Sequence, residues 1–172
     1  MNKNLVLYFS RADENIFDGD IKSIEKGNTE IIAEYIRDII GADTFKVERK
    51  EPYSKDYNTC LLESKEEYNT NARPELAKYL DSLEQYDTIY IGSPIYWGTI
   101  PNPLLTQLER LNWQGKKIRV FITHEGNGLG RAYEDITNTC YGANFIGEAI
   151  AIFGHEVNDY KEKIEEWIKQ GK

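Results

Sequence analysis

The sequence predicts a three-layer, doubly wound α/β fold built on a five-stranded parallel sheet. Three observations carry that expectation. Short apolar runs rich in β-branched and aromatic residues recur along the chain, as strands buried on both faces require. Between them the apolar period changes from strand-like to helical, which gives a β-α-β-α order and right-handed crossovers. The 172 residues suit one core and are too few for two full domains.

The first run, Leu5-Val6-Leu7-Tyr8-Phe9, is continuous and reads as an interior strand. Residues 12–26 follow as an irregular insertion within a single domain spanning 1–172, carrying Asp13, Glu14, Asp18, Asp20 and Glu25. Ile32, Tyr35, Ile36, Ile39 and Ile40 then form a helical stripe. Asn28 or Thr29 can cap that helix, and Gly41 should end it. Phe45-Lys46-Val47-Glu48 alternates and belongs at a sheet edge.

The polar stretch that follows is expected to be helical over 56–68 and again over 74–83, separated by Asn69-Thr70-Asn71. Thr88-Ile89-Tyr90-Ile91 makes the third strand. Asn102 reads as an N-cap with Pro103 opening a helix whose buried face is Leu104, Leu105, Leu108 and Leu111. Ile118 opens the fourth strand, which runs to Thr123. A weaker helix covers 131–138, and Ala149-Ile150-Ala151-Ile152-Phe153 supplies the fifth strand. Asp159 and Glu162 match a capping box ahead of a helix carrying Tyr160, Ile164, Trp167 and Ile168 on one side.

Composition narrows the function. The formal charge of −8 and pI near 4.9 argue against a nucleic-acid binder, which needs a basic face for phosphate contacts. No apolar run reaches the length of a membrane span, and the segment from Lys3 to Phe9 is too short for a signal peptide, so the expected location is the cytoplasm, away from membranes. Cys60 and Cys140 lack C-x-x-C spacing and fit neither a disulfide scaffold nor a metal site; both read as reduced thiols.

In a doubly wound sheet, ligands bind beyond the carboxyl ends of the strands where the winding reverses. Three loops lie there. After the first strand come Ser10 and Arg11 and, past the insertion, Gly27-Asn28-Thr29 at a helix start. Free N–H groups and the helix dipole make such a start an anion site, although Asn28 and Thr29 serve equally as caps and Ser10 as a turn residue. After the third strand, Ser93-Pro94-Ile95-Tyr96-Trp97-Gly98 places two large aromatics in a loop suited to a flat ring; a buried anchor is the other reading for either one. After the fourth, Thr123-His124-Glu125-Gly126-Asn127-Gly128-Leu129-Gly130 lets a ligand approach the backbone, but misses the G-x-G-x-x-G spacing. His124 reads as a hydrogen-bonded loop residue rather than a catalyst.

Together these loops resemble the flavodoxin family, in its branch with Tyr-Phe-Ser-Arg, Gly-Asn-Thr, Pro-Ile-Tyr-Trp-Gly and Thr-His-x-Gly-x-Gly-Leu-Gly; the motifs stand here at 8–11, 27–29, 94–98 and 123–130. The resemblance extends over nearly the whole chain and includes Glu51-Pro52-Tyr53. It implies a flavodoxin-like fold with strand order 2-1-3-4-5 and FMN as cofactor. Ser10, Arg11 through its backbone N–H, Asn28 and Thr29 would hold the FMN phosphate. Pro94, Ile95, Tyr96, Trp97 and Gly98 would wall the flavin, with Tyr96 or Trp97 stacking on it and Gly98 letting the adjoining peptide turn. Thr123, His124, Glu125, Gly126 and Gly128 would line its pyrimidine edge. The insertion at 12–26, which departs from the family's compact phosphate loop, would fold over the site or loop outward.

The implied function is electron transfer by a flavoprotein, with no protein side chain in a catalytic role and an acidic surface docking basic redox partners, a reductase or an oxidase. The alternative is an NAD(P)H-dependent FMN reductase, an oxidoreductase acting on quinones or similar acceptors. A third reading, a flavin-free binding module, lacks the residues of the usual candidates. Acidic receiver residues, a cysteine phosphate loop and a Gly-Lys-Ser/Thr motif are all missing from the end of the first strand.

Overall fold

A computed structural model describes residues 3–171. The central strand β1 (Asn4–Phe9) pairs in parallel with β4 (Asp43–Val47) on one side and β5 (Thr88–Pro94) on the other, and β5 pairs with β6 (Lys117–His124). The expected parallel order is therefore present. The fifth strand is not one piece, however. It is split into β7 (Asn144–Phe145) and β8 (Ile150–Phe153), which occupy successive stretches of the same edge of β6. The sheet thus has six strands instead of five. The gap between the two lies over the buried guanidinium of Arg119, which stacks 3.9 Å from the Trp167 ring centroid and would lie 3.1 Å from a Cβ on Gly147.

The period-2 geometry of a strand sends neighbouring side chains to opposite faces, and β1 shows it directly. Leu5, Leu7 and Phe9 enter one apolar cluster, which includes Leu104 and Leu108 of α3 (Asn102–Leu108) and Ala132 and Ile136 of α4 (Ala132–Thr139). Val6 and Tyr8 enter the other, built on Ile32, Ala33 and Ile36 of α1 (Asn28–Ile40) and Ile164, Trp167 and Ile168 of α5 (Lys161–Gln170). Cys60 of α2 (Tyr57–Thr70) joins the first cluster. Gly92 of β5 sits opposite Phe121 of β6, where a Cβ would stand 2.0 Å from the Phe121 ring. Only glycine lets that ring cross the strand.

Helix ends correct several expectations. The α1 cap position is Gly27, with Asn28 the first helical residue, while Gly41 closes the helix in the left-handed region as expected. At α3 the cap is Pro101; the Asn102 amide instead donates to the carbonyls of Glu67 (3.0 Å) and Ala72 (2.8 Å). The Asp159–Glu162 capping box does not form, because Asp159 is taken up in a 3-10 helix, Gly154–Asp159, that runs directly into α5. Asp56 does cap α2 through the Thr59 N–H (2.8 Å).

Residues 74–83 are not helical, because their backbone groups have other partners. The Lys50 N–H donates to the Glu75 carbonyl (2.8 Å), and the Ala77 N–H to that of Glu48 (2.9 Å). The Gln107 side chain clamps both the N–H and the carbonyl of Leu80, each at 2.9 Å. Residues 12–26 are likewise not irregular. They form an antiparallel hairpin of β2 (Asp13–Phe17) and β3 (Asp20–Ile24). Asp18 and Gly19 turn it with φ of 54° and 87°, the both-positive pair that a two-residue type I′ turn requires.

Candidate functional site

A cavity of about 380 Å³ opens at the carboxyl ends of β1, β5 and β6. Ser10, Arg11, Asn28, Thr29, Pro94, Ile95, Tyr96, Trp97, Thr123, His124 and Glu125 all line it, so the structure brings the three loops into one site. Gly98, Gly126 and Gly128 do not line it; their φ angles of 81°, 134° and 61° turn the loops that carry the lining residues. The lining also includes residues that the sequence reading missed: Tyr57, Cys60, Leu61 and Ser64 of α2, Asn15 and Ile16 of β2, and Asn127 and Gly154.

The start of α1 can receive an anion. The first N–H groups of α1 have no acceptor within the helix, and they point where the dipole favours negative charge. Ser10 Oγ accepts the Glu30 N–H (3.1 Å), which ties the end of β1 to the helix start. Gly27 makes this possible, since a Cβ there would lie 2.1 Å from Ser10 Oγ and 2.7 Å from the Arg11 carbonyl oxygen. The Thr29 hydroxyl is buried and hydrogen bonded to that of Thr123 (2.7 Å), fixing α1 to β6. The Arg11 guanidinium lines the cavity and keeps its positive charge, with no carboxylate paired to it among the described residues. It donates to the carbonyls of Glu14, Ser54 (2.5 Å) and Lys55 (3.0 Å).

A second wall is built around an aromatic. Tyr96 and Thr99 exchange backbone hydrogen bonds (2.7 and 3.2 Å), closing a turn whose central residues, Trp97 and Gly98, have φ of 55° and 81°. A positive φ at tryptophan is costly and is held here by its surroundings. The indole Nε1–H donates to Ser64 Oγ (3.0 Å), and the Lys65 ammonium lies 5.4 Å from the ring centroid. Trp97 remains 37% exposed. Tyr96 instead packs edge-on to Phe9 and tilted against Tyr53, with centroids at 5.7 and 6.0 Å. Both candidates for stacking line the cavity, Tyr96 half-buried and Trp97 the more exposed of the two. The Gly98 carbonyl accepts the Arg131 N–H (2.7 Å), so this side of the Gly98 peptide is pinned.

The third wall carries the titratable groups. Burial pushes the His124 imidazole down, and its Nδ1 accepts the Gly126 N–H (2.9 Å), so a neutral ring fits there. Donation of a hydrogen bond to Glu125 raises His155, whose Nδ1 lies 2.7 Å from Glu125 Oε2. Glu125 Oε1 is buried without a hydrogen-bond partner among the described residues. Burial also pushes the Cys60 thiol up, away from the reactive thiolate.

A cavity beyond the strand ends of a parallel sheet, with a helix N-terminus and an indole on its walls, stands where doubly wound proteins bind ligands. The chain belongs to the flavodoxin family, whose model matches residues 23–170. That match begins inside β3 and leaves β2 outside it. Among solved structures, a Bacteroides uniformis protein classed as a flavoprotein is 26% identical, with TM-score 0.77 and 98% of both chains covered. A flavoprotein from Lactobacillus acidophilus, solved in complex with FMN, is 24% identical, with TM-score 0.63 and coverage of 93% of this chain and 99% of that one. Oxidised flavodoxin 1 of Bacillus cereus shares the fold at 17% identity, TM-score 0.56, covering 97% and 98%. No curated protein matches the chain.

Proposed function

We propose that the protein binds FMN and carries electrons between partner proteins. The observation that carries this reading is that the open N-terminus of α1 and the exposed face of Trp97 address the same cavity. FMN supplies the redox chemistry when bound. The Asn28 and Thr29 N–H groups and the rim of Ser10 would hold its phosphate, as helix N-termini do for anions, with the positive charge of Arg11 on the same cavity wall. Trp97 would cover one face of the ring and keep water from it. The FMN complex of the Lactobacillus acidophilus flavoprotein supports this choice of ligand. The net charge of −8 favours docking of basic partners, in a manner weakened by salt.

The test is the colour and content of the purified protein. Yellow protein that releases FMN in equal molar amount on denaturation is expected. Colourless protein that cannot be reconstituted with FMN refutes the reading. Anaerobic NADPH or NADH should leave the flavin absorbance intact until a reductase is added; direct bleaching identifies an NAD(P)H-dependent enzyme instead of a carrier.

A further inference from the structure

The β2–β3 hairpin leaves and rejoins the chain at the start of α1, the proposed anion cradle. Its two arms meet where Gly27 packs against Ser10 and Arg11, so the cradle lies at the neck of the hairpin. From there the hairpin turns over the cavity and not away from it, since Asn15 and Ile16 line the cavity. Asp13, at φ of 68°, makes the bend, and the Asn15 amide fixes it by donating to the carbonyls of Arg11 (3.1 Å) and Ala12 (3.2 Å). The near side is fastened to the start of α2: the Glu14 N–H donates to the Lys55 carbonyl (3.2 Å), and Glu14 Oε1 accepts the Tyr57 N–H (3.3 Å). The tip reaches the opposite wall. There the Phe17 ring meets the His155 ring edge-on at 6.2 Å, and Asp18 Oδ1 lies 3.8 Å from His155 Nε2. His155 in turn holds Glu125, itself a lining residue.

The hairpin therefore bridges the mouth of the cavity at its anion end, from the start of α2 to the ends of β6 and β8. We propose that it is a specificity-determining strap: it accepts a flavin that ends in a monophosphate and excludes one whose phosphate carries an adenylate. This inference rests on the flavin reading above. A group attached beyond the phosphate has to pass between the cradle and the strand that carries Asn15, Ile16 and Phe17, which is fastened on both sides.

The experiment compares FMN and FAD binding to flavin-free protein, by flavin fluorescence, for the intact chain and for a chain in which residues 13–24 are replaced by two glycines. The intact chain should bind FMN at least about thirtyfold more tightly than FAD, and the shortened chain should bring the two affinities to within about threefold. Equal binding of both flavins by the intact chain overturns the proposal, as does undiminished discrimination by the shortened chain. Should that chain fail to fold, Phe17→Ala combined with Asp18→Asn releases the tip and leaves the His155–Glu125 bond in place. The double variant should bind FAD several-fold more tightly relative to FMN and release FMN faster, and an unchanged ratio with unchanged release overturns the proposal. Binding of neither flavin by the intact chain refutes the flavin reading itself.

Discussion

Replacing Trp97 by alanine removes the most exposed of the aromatic side chains that line the cavity. The cost follows from the geometry. At 37% exposure, an indole residue of up to about 250 Å² leaves about 90 Å² for a ligand to cover. At roughly 25 cal/mol per Å² this amounts to about 2 kcal/mol, and a well-placed aromatic pair adds about 1 kcal/mol. A total of about 3 kcal/mol weakens FMN binding roughly a hundredfold. Quenching of FMN fluorescence during titration into flavin-free Trp97→Ala protein measures this directly. Trp97→Gly provides an internal control, because it removes the same ring but tolerates the positive φ of 55°. Both variants should lose affinity alike, while the glycine variant unfolds at higher urea, being about 1 kcal/mol more stable. FMN affinity of Trp97→Ala within about twofold of the parent would falsify the assignment of the indole to the ring.

Two further outcomes test the scaffold. Gly92→Ala should destabilise the fold by about 1–3 kcal/mol through collision with the Phe121 ring, read as a lower urea midpoint, and Phe121→Leu should restore part of the loss. His155 faces Glu125, Asp18 and Glu156, with His124 as the opposing cation when charged, and the bond to Glu125 raises it above its ordinary value. Its contribution to stability is therefore complete below about pH 6.5 and is lost as pH rises through the raised value. Between about pH 6 and pH 9 the parent should lose more stability than His155→Gln; equal slopes contradict the assignment.

The parts of this molecule that were legible in the sequence are those whose partners do not matter to their pattern. The strand at 5–9 must be apolar on both faces whichever helices cover it, and the stripe from Ile32 to Ile40 turns one side inward in any α/β protein. Residues 74–83 carry helical propensity, but Gln107 and the 48–50 segment take their backbone groups, and nothing local announces that. The hairpin did leave a signal. Asp18-Gly19 between Phe17 and Asp20 is a two-residue turn sequence, masked by strands that are mostly polar because one side meets solvent.

At the site, the loops following the strands were readable because strand ends dictate where a doubly wound protein binds. The difference in exposure between Tyr96 and Trp97 was not, because it is set by Phe9, Tyr53 and Ser64, which lie far away in the chain. Ser64 and Cys60 were missed for a related reason. α2 has little amphipathic pattern, and one of its sides serves the cavity as well as the core.

The most direct test of the central claim, that the start of α1 holds a flavin phosphate while Trp97 covers the ring, is a parallel titration of flavin-free protein with FMN and with riboflavin. One equivalent of FMN should saturate the protein, and riboflavin should bind about tenfold to a hundredfold more weakly, because charge-assisted hydrogen bonds from the helix N–H groups are worth about 1.5–3 kcal/mol. Equal affinity for the two ligands contradicts the anion site, and no binding of either contradicts the account as a whole.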